Sequence, residues 1–258
     1  MSQTFPLPPL PERGFTRSPE YHWARLSADA PRIPWDVFVL QELQWRPGEH
    51  FGLIGPTGQG KTTMLLNVLP IHRYVAVFGT KPRDETMERL AKSGYLKMKH
   101  WRSLNPRDTP RRLVWPNARR LDSRAHQKQV FTDAFDRIYL EGGWTVAIDE
   151  LWYFTNILNM EEYVKLYLLQ ARSLGISLLA ATQRPANVPL EVYDQSTHLM
   201  FWRDNDRRNL DRLSEINSRD AALVREIVRN LDEFQVLYVN TRTGKMLRTR
   251  VPLIGGQK

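Results

Sequence analysis

Gly55-Pro56-Thr57-Gly58-Gln59-Gly60-Lys61-Thr62 fills every position of the pattern G-x-x-x-x-G-K-[ST]. The run before it, His50-Phe51-Gly52-Leu53-Ile54, is short, apolar and strand-compatible, while Thr62 to Leu69 after it are helix formers halted by Pro70. The pattern therefore occupies a strand-to-helix turn. There the first backbone amides of the helix lack partners of their own, and the helix dipole favours an anion. Glycines let such a turn curl around phosphates, with the amides of Gly58, Gly60, Lys61 and Thr62 pointing inward. Lys61 is placed to reach β- and γ-phosphates, and the Thr62 hydroxyl to ligate the Mg²⁺ that neutralises them. The expected nucleotide-binding residues are Gly55, Pro56, Thr57, Gly58, Gln59, Gly60, Lys61, Thr62 and Thr63, and the ligand is a nucleoside triphosphate.

A second stretch adds chemistry. Trp144-Thr145-Val146-Ala147-Ile148-Asp149-Glu150 is an apolar strand ending in two adjacent acids. At a strand tip beside the cradle, Asp149 is expected next to the Mg²⁺, normally through water, and Glu150 turns toward the space beyond the γ-phosphate. A carboxylate there orients and polarises a water for in-line attack, so the acid pair points to hydrolysis rather than simple holding. Ile176 to Ala181 is another buried-type strand, finishing in Thr182-Gln183-Arg184-Pro185. Gln183 is placed to contact the γ-phosphate or the attacking water, and Arg184 reads as a brace for the turn before Pro185.

Outward from these stretches, prolines at 6, 8, 9, 11, 19, 31 and 34 make residues 1–34 an extended arm. The apolar runs Val37–Leu40 and Leu43–Trp45, then Arg46-Pro47-Gly48-Glu49 as a turn, lead into the cradle strand. Tyr74–Phe78 reads as a buried strand, Asp84–Ala91 as a helix, and Ala125–Leu140 as a helix whose apolar face is Val130, Phe131, Ala134, Phe135, Ile138 and Tyr139. Residues 151–174 form a long helix or helix pair with Tyr163, Leu166, Tyr167 and Leu169 on its apolar face, stopped by Gly175. A strand over Thr197–Trp202, helices over Asp206–Asn217 and Ser218–Leu231, and a hairpin of Phe234–Asn240 with Lys245–Val251 complete the chain. Strands alternating with helices predict an α/β fold, a mostly parallel, doubly wound sheet with a strand-tip ligand site and a C-terminal β-hairpin.

The 258 residues suit one large α/β domain plus arms. No cysteine is present, which excludes disulfides and thiolate metal sites and fits a reducing compartment. No apolar run approaches the roughly 20 residues of a membrane span, and the proline-rich start lacks a charged segment followed by an apolar one, so a soluble, intracellular protein is expected. The formal charge is +9, and all of it lies in one segment: residues 81–128 hold 14 Lys and Arg against 5 Asp and Glu, while the remainder carries 23 of each. Such a segment reads as a footprint for a polyanion, with nucleic acid the obvious one; a solvated arginine-rich surface is the alternative. Beyond Gly94, and apart from a strand at Arg112–Trp115, it looks irregular up to the helix at Ala125. Its Tyr95, Trp101 and Trp115 suit stacking on bases or, equally, buried anchoring of a long loop.

Taken together, the cradle, the strand ending Asp149-Glu150, and above all Gln170-Ala171-Arg172-Ser173-Leu174-Gly175-Ile176 leading into Ala180-Ala181-Thr182-Gln183-Arg184-Pro185 resemble the FtsK/HerA branch of the P-loop ATPases. The similarity covers about Trp35 to Leu213. It implies a RecA-like sheet with an additional strand, formed by a domain over 35–251 with 81–128 as a basic insertion, between the arm (1–34) and a tail (252–258). It implies ATP and Mg²⁺, with Lys61, Thr62 and Thr63 in the nucleotide site, Thr62 and Asp149 on the metal, Glu150 as catalytic acid/base and Gln183 as phosphate sensor. An arginine from the next subunit of a ring completes such sites: Arg172 first, with Arg203, Arg207 and Arg208 as alternatives. The partners implied are double-stranded DNA, further copies of the chain in a homo-oligomeric ring of five or six, and a portal or capsid-vertex protein, in the cytoplasm or on a virion. The expected activity is ATP hydrolysis coupled to DNA translocation, most naturally viral genome packaging; a HerA-type helicase or end-processing motor and a protein-moving assembly or secretion ATPase are the alternatives.

Overall fold

The computed structural model describes residues 29–116, 123–183, 186, 188–213 and 221–252. Among the described residues nine strands form one sheet: β1 (His50–Ile54), β2 (Val75–Phe78), β3 (Leu96–Met98), β4 (Arg111–Val114), β5 (Thr145–Ile148), β6 (Ser177–Thr182), β7 (Ser196–Trp202), β8 (Gln235–Asn240) and β9 (Met246–Arg250). Their order is β3-β4-β2-β5-β6-β1-β7-β8-β9. Pairing is parallel from β3 through β7 and antiparallel only for β7–β8 and β8–β9. The expected α/β class, parallel sheet and C-terminal hairpin are all present.

The central strands are continuous apolar runs because helices cover both faces and no side of the strand meets water. Phe51 and Leu53 of β1 point into one buried cluster with Met64 and Leu65, whereas Phe78 and Ile148 point into the other with Phe131, Phe135 and Phe154. The described α-helices of seven residues or more are α1 (Lys61–Val68), α2 (Glu85–Lys92), α3 (Ser123–Glu141), α4 (Glu161–Gln170), α5 (Arg207–Leu213) and α6 (Ala221–Arg229). Asp84 caps α2 by accepting from the amides of Thr86 and Met87 at 2.9 and 3.3 Å, satisfying two of its otherwise unpaired donors.

Three expectations are corrected. Val37–Leu40 is not extended: Trp35–Val37 is a turn of α-helix continued as a π-helix over Phe38–Glu42, which seats Phe38 against Tyr238 with ring centroids 5.0 Å apart. The core face of α4 is Val164, Tyr167 and Leu168, while Leu166 and Leu169 are largely exposed, because the helix starts only at Glu161 after a π-turn over Tyr153–Ile157 and so presents a rotated face. In the basic segment α2 and β4 are as expected, but Leu96–Met98, read as irregular, is a strand, β3, so the segment forms one end of the sheet. Residues 31–33 also join the fold, pairing with Arg248 of β9 through Ile33 N to Arg248 O at 2.8 Å and Arg248 N to Pro31 O at 2.9 Å. Among the described residues no helix is long and apolar enough to cross a membrane.

Candidate phosphate and hydrolysis site

Because β1, β2, β5, β6 and β7 are parallel neighbours, their C-terminal tips fall on one edge of the sheet, the place where α/β proteins bind ligands. The cradle leaves β1, Asp149 and Glu150 leave β5, and Gln183 leaves β6, which runs between those two strands. Residues 87 positions apart in sequence thus meet. Gly58 and Gly60 turn the cradle with φ of 80° and 98°, backbone that side-chain-bearing residues rarely adopt, and Gly60 caps α1.

Lys61 is buried and donates from Nζ to the carbonyls of Gly55 and Pro56, both at 2.6 Å. Burial pulls its pKa down to about 8 against the opposing pull of Asp149, Glu150 and Asp204. Those carbonyls hold the ammonium in place without neutralising it, which fits a group that awaits an anion. Thr62 donates from Oγ1 to Asp149 Oδ1 at 3.3 Å. Burial raises the Asp149 pKa although the Lys81 charge beside it works in the other direction. A divalent cation fits between that hydroxyl and that carboxylate, both hard oxygen ligands, and would relieve the burial of the carboxylate charge. The indole Nε1 of Trp202 and Oε1 of Gln59, both buried, lack partners among the described residues, and Trp202 Nε1 lies 3.7 Å from where a Cβ on Gly60 would stand. A donor oriented at the cradle in this way also fits a phosphate.

On the other side of the cradle, Gln183 bridges two partners. Its Nε2 donates to Glu150 Oε2 at 2.7 Å and its Oε1 accepts from Thr57 Oγ1 at 2.5 Å. Sequence reasoning assigned Gln183 and Glu150 to the site but missed their direct bond and the hydroxyl that orients the amide. It also missed Lys81 and Asp84 at the β2 tip and Asp204 at the β7 tip, whose charges act on Lys61 or Asp149. Only strand order, invisible in a single chain's periodicity, puts those tips beside β1 and β5.

Arg172 is not at this edge. It lies in the 3-10 turn Ala171–Leu174 before β6 begins, and β6 is six residues long, so roughly 20 Å of strand separates it from its own cradle. Arg203, Arg207 and Arg208 follow the tip of β7 on the cradle side and are exposed. Arg184 lies outside the described residues.

The sequence matches no protein-family model, and no curated protein matches it. Solved structures do match it in fold. The genome packaging NTPase B204 of Sulfolobus turreted icosahedral virus 2, in complex with AMPPCP, superposes with a TM-score of 0.58 at 16% identity, covering 80% of this chain and 100% of that one. The fold is that of the P-loop ATPases. VirB4 of Thermoanaerobacter pseudethanolicus shares this P-loop fold with a TM-score of 0.58 at 11% identity over 80% of this chain and 90% of its own. EssC (ATPases 2 and 3) of Geobacillus thermodenitrificans shares it with a TM-score of 0.51 at 14% identity over 83% of this chain and 42% of its own.

Proposed function

We propose that this chain hydrolyses ATP to move double-stranded DNA, as a genome-packaging motor working in a homo-oligomeric ring. The observation that carries the reading is the meeting, at one sheet edge, of a buried unneutralised Lys61, the Thr62–Asp149 pair and the Gln183–Glu150 pair. Lys61 and the cradle amides bind the β- and γ-phosphates. A Mg²⁺ held by Thr62 and Asp149 would supply charge neutralisation across those phosphates. Glu150 orients a water for in-line attack and takes its proton at a carboxylate oxygen. Gln183 senses the γ-phosphate through the amide that it now gives to Glu150 at the cradle edge.

The likeness to B204 supports packaging over other motor tasks, and the +9 segment supports DNA as the load. The roughly 20 Å between Arg172 and its own cradle supports action on a neighbour's nucleotide, where an added guanidinium is worth about 10³ to 10⁵ in rate. The decisive experiment is ATP turnover with and without blunt duplex DNA. A rate raised severalfold by duplex supports the reading; turnover indifferent to DNA moves the load to protein, and directional unwinding of a fork moves it to a helicase.

A further inference from the structure

A broad cavity opens not at the cradle but at the far end of the same edge. It is a cleft of about 800 Å³ between the β2 tip, α2, β3 and β4, and its walls include Arg83, Arg89, Lys92, Lys97, Lys99 and Trp115. Asp84, Glu85 and Glu88 also line it; Asp84 pairs with Lys81 at 3.5 Å and Glu88 with Lys97 at 3.1 Å. Arg83, Arg89, Lys92 and Lys99 are exposed and form no ion pair among the described residues. Five cations against three carboxylates leave the walls of this concave space with an excess of positive charge, which favours a ligand bearing several phosphates, whose condensed counterions are released on binding.

The cleft is wired to the hydrolysis site. Lys97 places its ammonium 4.0 Å from the centroid of the Trp115 ring, and Trp115 Nε1 donates to Lys81 O at 2.7 Å. The ring lies so close on the β2 tip that a Cβ on Gly79 would stand 2.9 Å from Trp115 Cδ1. Phe78 pairs with Ile148, so Gly79 sits beside Asp149, and the Lys81 ammonium, 3.5 Å from Asp84, reaches Asp149 with its charge. One indole therefore touches both the cation cluster and the strand tip next to the metal-side acid.

We infer that this cleft grips the phosphodiester backbone of duplex DNA and that Trp115 reports its occupancy to the nucleotide edge. The inference rests on the reading of DNA as the load and gives that load a place. A backbone phosphate entering the cleft competes with Glu88 for Lys97, changing the cation over the indole and, through the bond to Lys81 O, the charge beside Asp149. Contacts of this kind grip any sequence alike, because phosphates carry no base information.

The test uses the full chain, a blunt duplex probe and binding measured across a salt series. Arg89→Gln, Lys92→Gln and Lys99→Gln together should make the slope of log affinity against log salt shallower by about 2 to 3. Arg102→Gln, Arg107→Gln and Arg124→Gln, equal in charge and in the same basic segment but outside the cleft, should leave the slope near that of the unaltered chain. Duplex binding with an unchanged slope in the cleft triple overturns the site while leaving the motor reading standing. An unaltered chain that hydrolyses ATP but binds no duplex overturns both. Trp115→Phe keeps the ring and removes the bond to Lys81; the ratio of DNA-stimulated to basal ATP turnover should fall by more than half, and an unchanged ratio overturns the coupling.

Discussion

Gln183 hands its amide nitrogen to Glu150 over 2.7 Å while the Thr57 hydroxyl holds the amide oxygen. Because an amide has a donor end and an acceptor end, the hydroxyl donor from the cradle dictates which end faces the carboxylate. In the proposed mechanism this one side chain joins nucleotide sensing to water activation.

Glu150→Gln should lower kcat by about 10² to 10⁴ with ATP affinity little changed, the range expected for losing a general base. Single-turnover hydrolysis alongside nucleotide binding checks both halves; a variant that retains turnover would move the base elsewhere.

Thr57→Val removes the donor that sets the Gln183 amide. A bond of about 1 kcal/mol corresponds to a fall in kcat of about fivefold to tenfold, with Thr57→Ser close to the unaltered rate. Equal kinetics for Val and Ser would show that the hydroxyl has no such role.

Lys61, its pKa lowered to about 8 by burial, would bind phosphate only when charged. With the folded value depressed, the nucleotide-free protein loses the ammonium as pH rises through that value. ATP affinity should hold near neutrality and fall by up to about tenfold per unit above about pH 8. Calorimetric titration over that window tests this, and a flat profile contradicts it.

His50 is buried at the start of β1 and accepts the Leu178 amide at Nδ1 over 3.0 Å, an atom that must carry a proton in the cation. Burial first, and then the Arg172 charge, pull its pKa from 6.5 to about 4. Burial likewise lowers the values of His72 and His198. Below 6.5 the unfolded chain takes up protons that the folded one refuses, so stability is full above that pH and is lost as it falls, by about 3 kcal/mol from His50 once pH reaches about 4. Denaturant midpoints should drop across this range and drop less in His50→Gln.

Arg112 offers a contrast with the exposed cations around it. It belongs, with Arg111, Arg119 and Arg120, to the basic segment whose charge predicts a polyanion partner; Arg119 and Arg120 lie outside the described residues. Arg112, however, is fully buried, donates to the carbonyls of Thr109, Arg102 and Leu104, and stacks between Trp101 and Trp144 at 4.4 and 4.6 Å. Arg112→Ala should therefore destabilise the fold by about 3 kcal/mol or more instead of flattening the salt dependence of DNA binding. Thermal melts set beside binding isotherms separate these outcomes.

Much was legible in the chain because local rules sufficed. The cradle announces itself by glycine spacing, β5 and β6 by unbroken apolar runs with polar tips, and α3 by a face of Val130, Phe131, Ala134, Phe135 and Ile138 that is buried as the periodicity requires. The π-helix at Phe38–Glu42 and the face of α4 were not legible, since both are set by what they pack against rather than by their own residues.

What the sequence by itself determined is the class of chemistry: phosphates at a strand-to-helix turn, an acid pair at one strand tip and an amide at another, each encoded within a few consecutive residues. What only the tertiary structure decided is which of these groups touch. The order β2-β5-β6-β1 sets Gln183 between Thr57 and Glu150 and brings Lys81 beside Asp149, while packing sends Arg112 and Trp101 inward and leaves Lys92 and Lys99 out. Strand order and burial are set by long-range contacts that bury apolar surface, and no window of neighbouring residues carries that information.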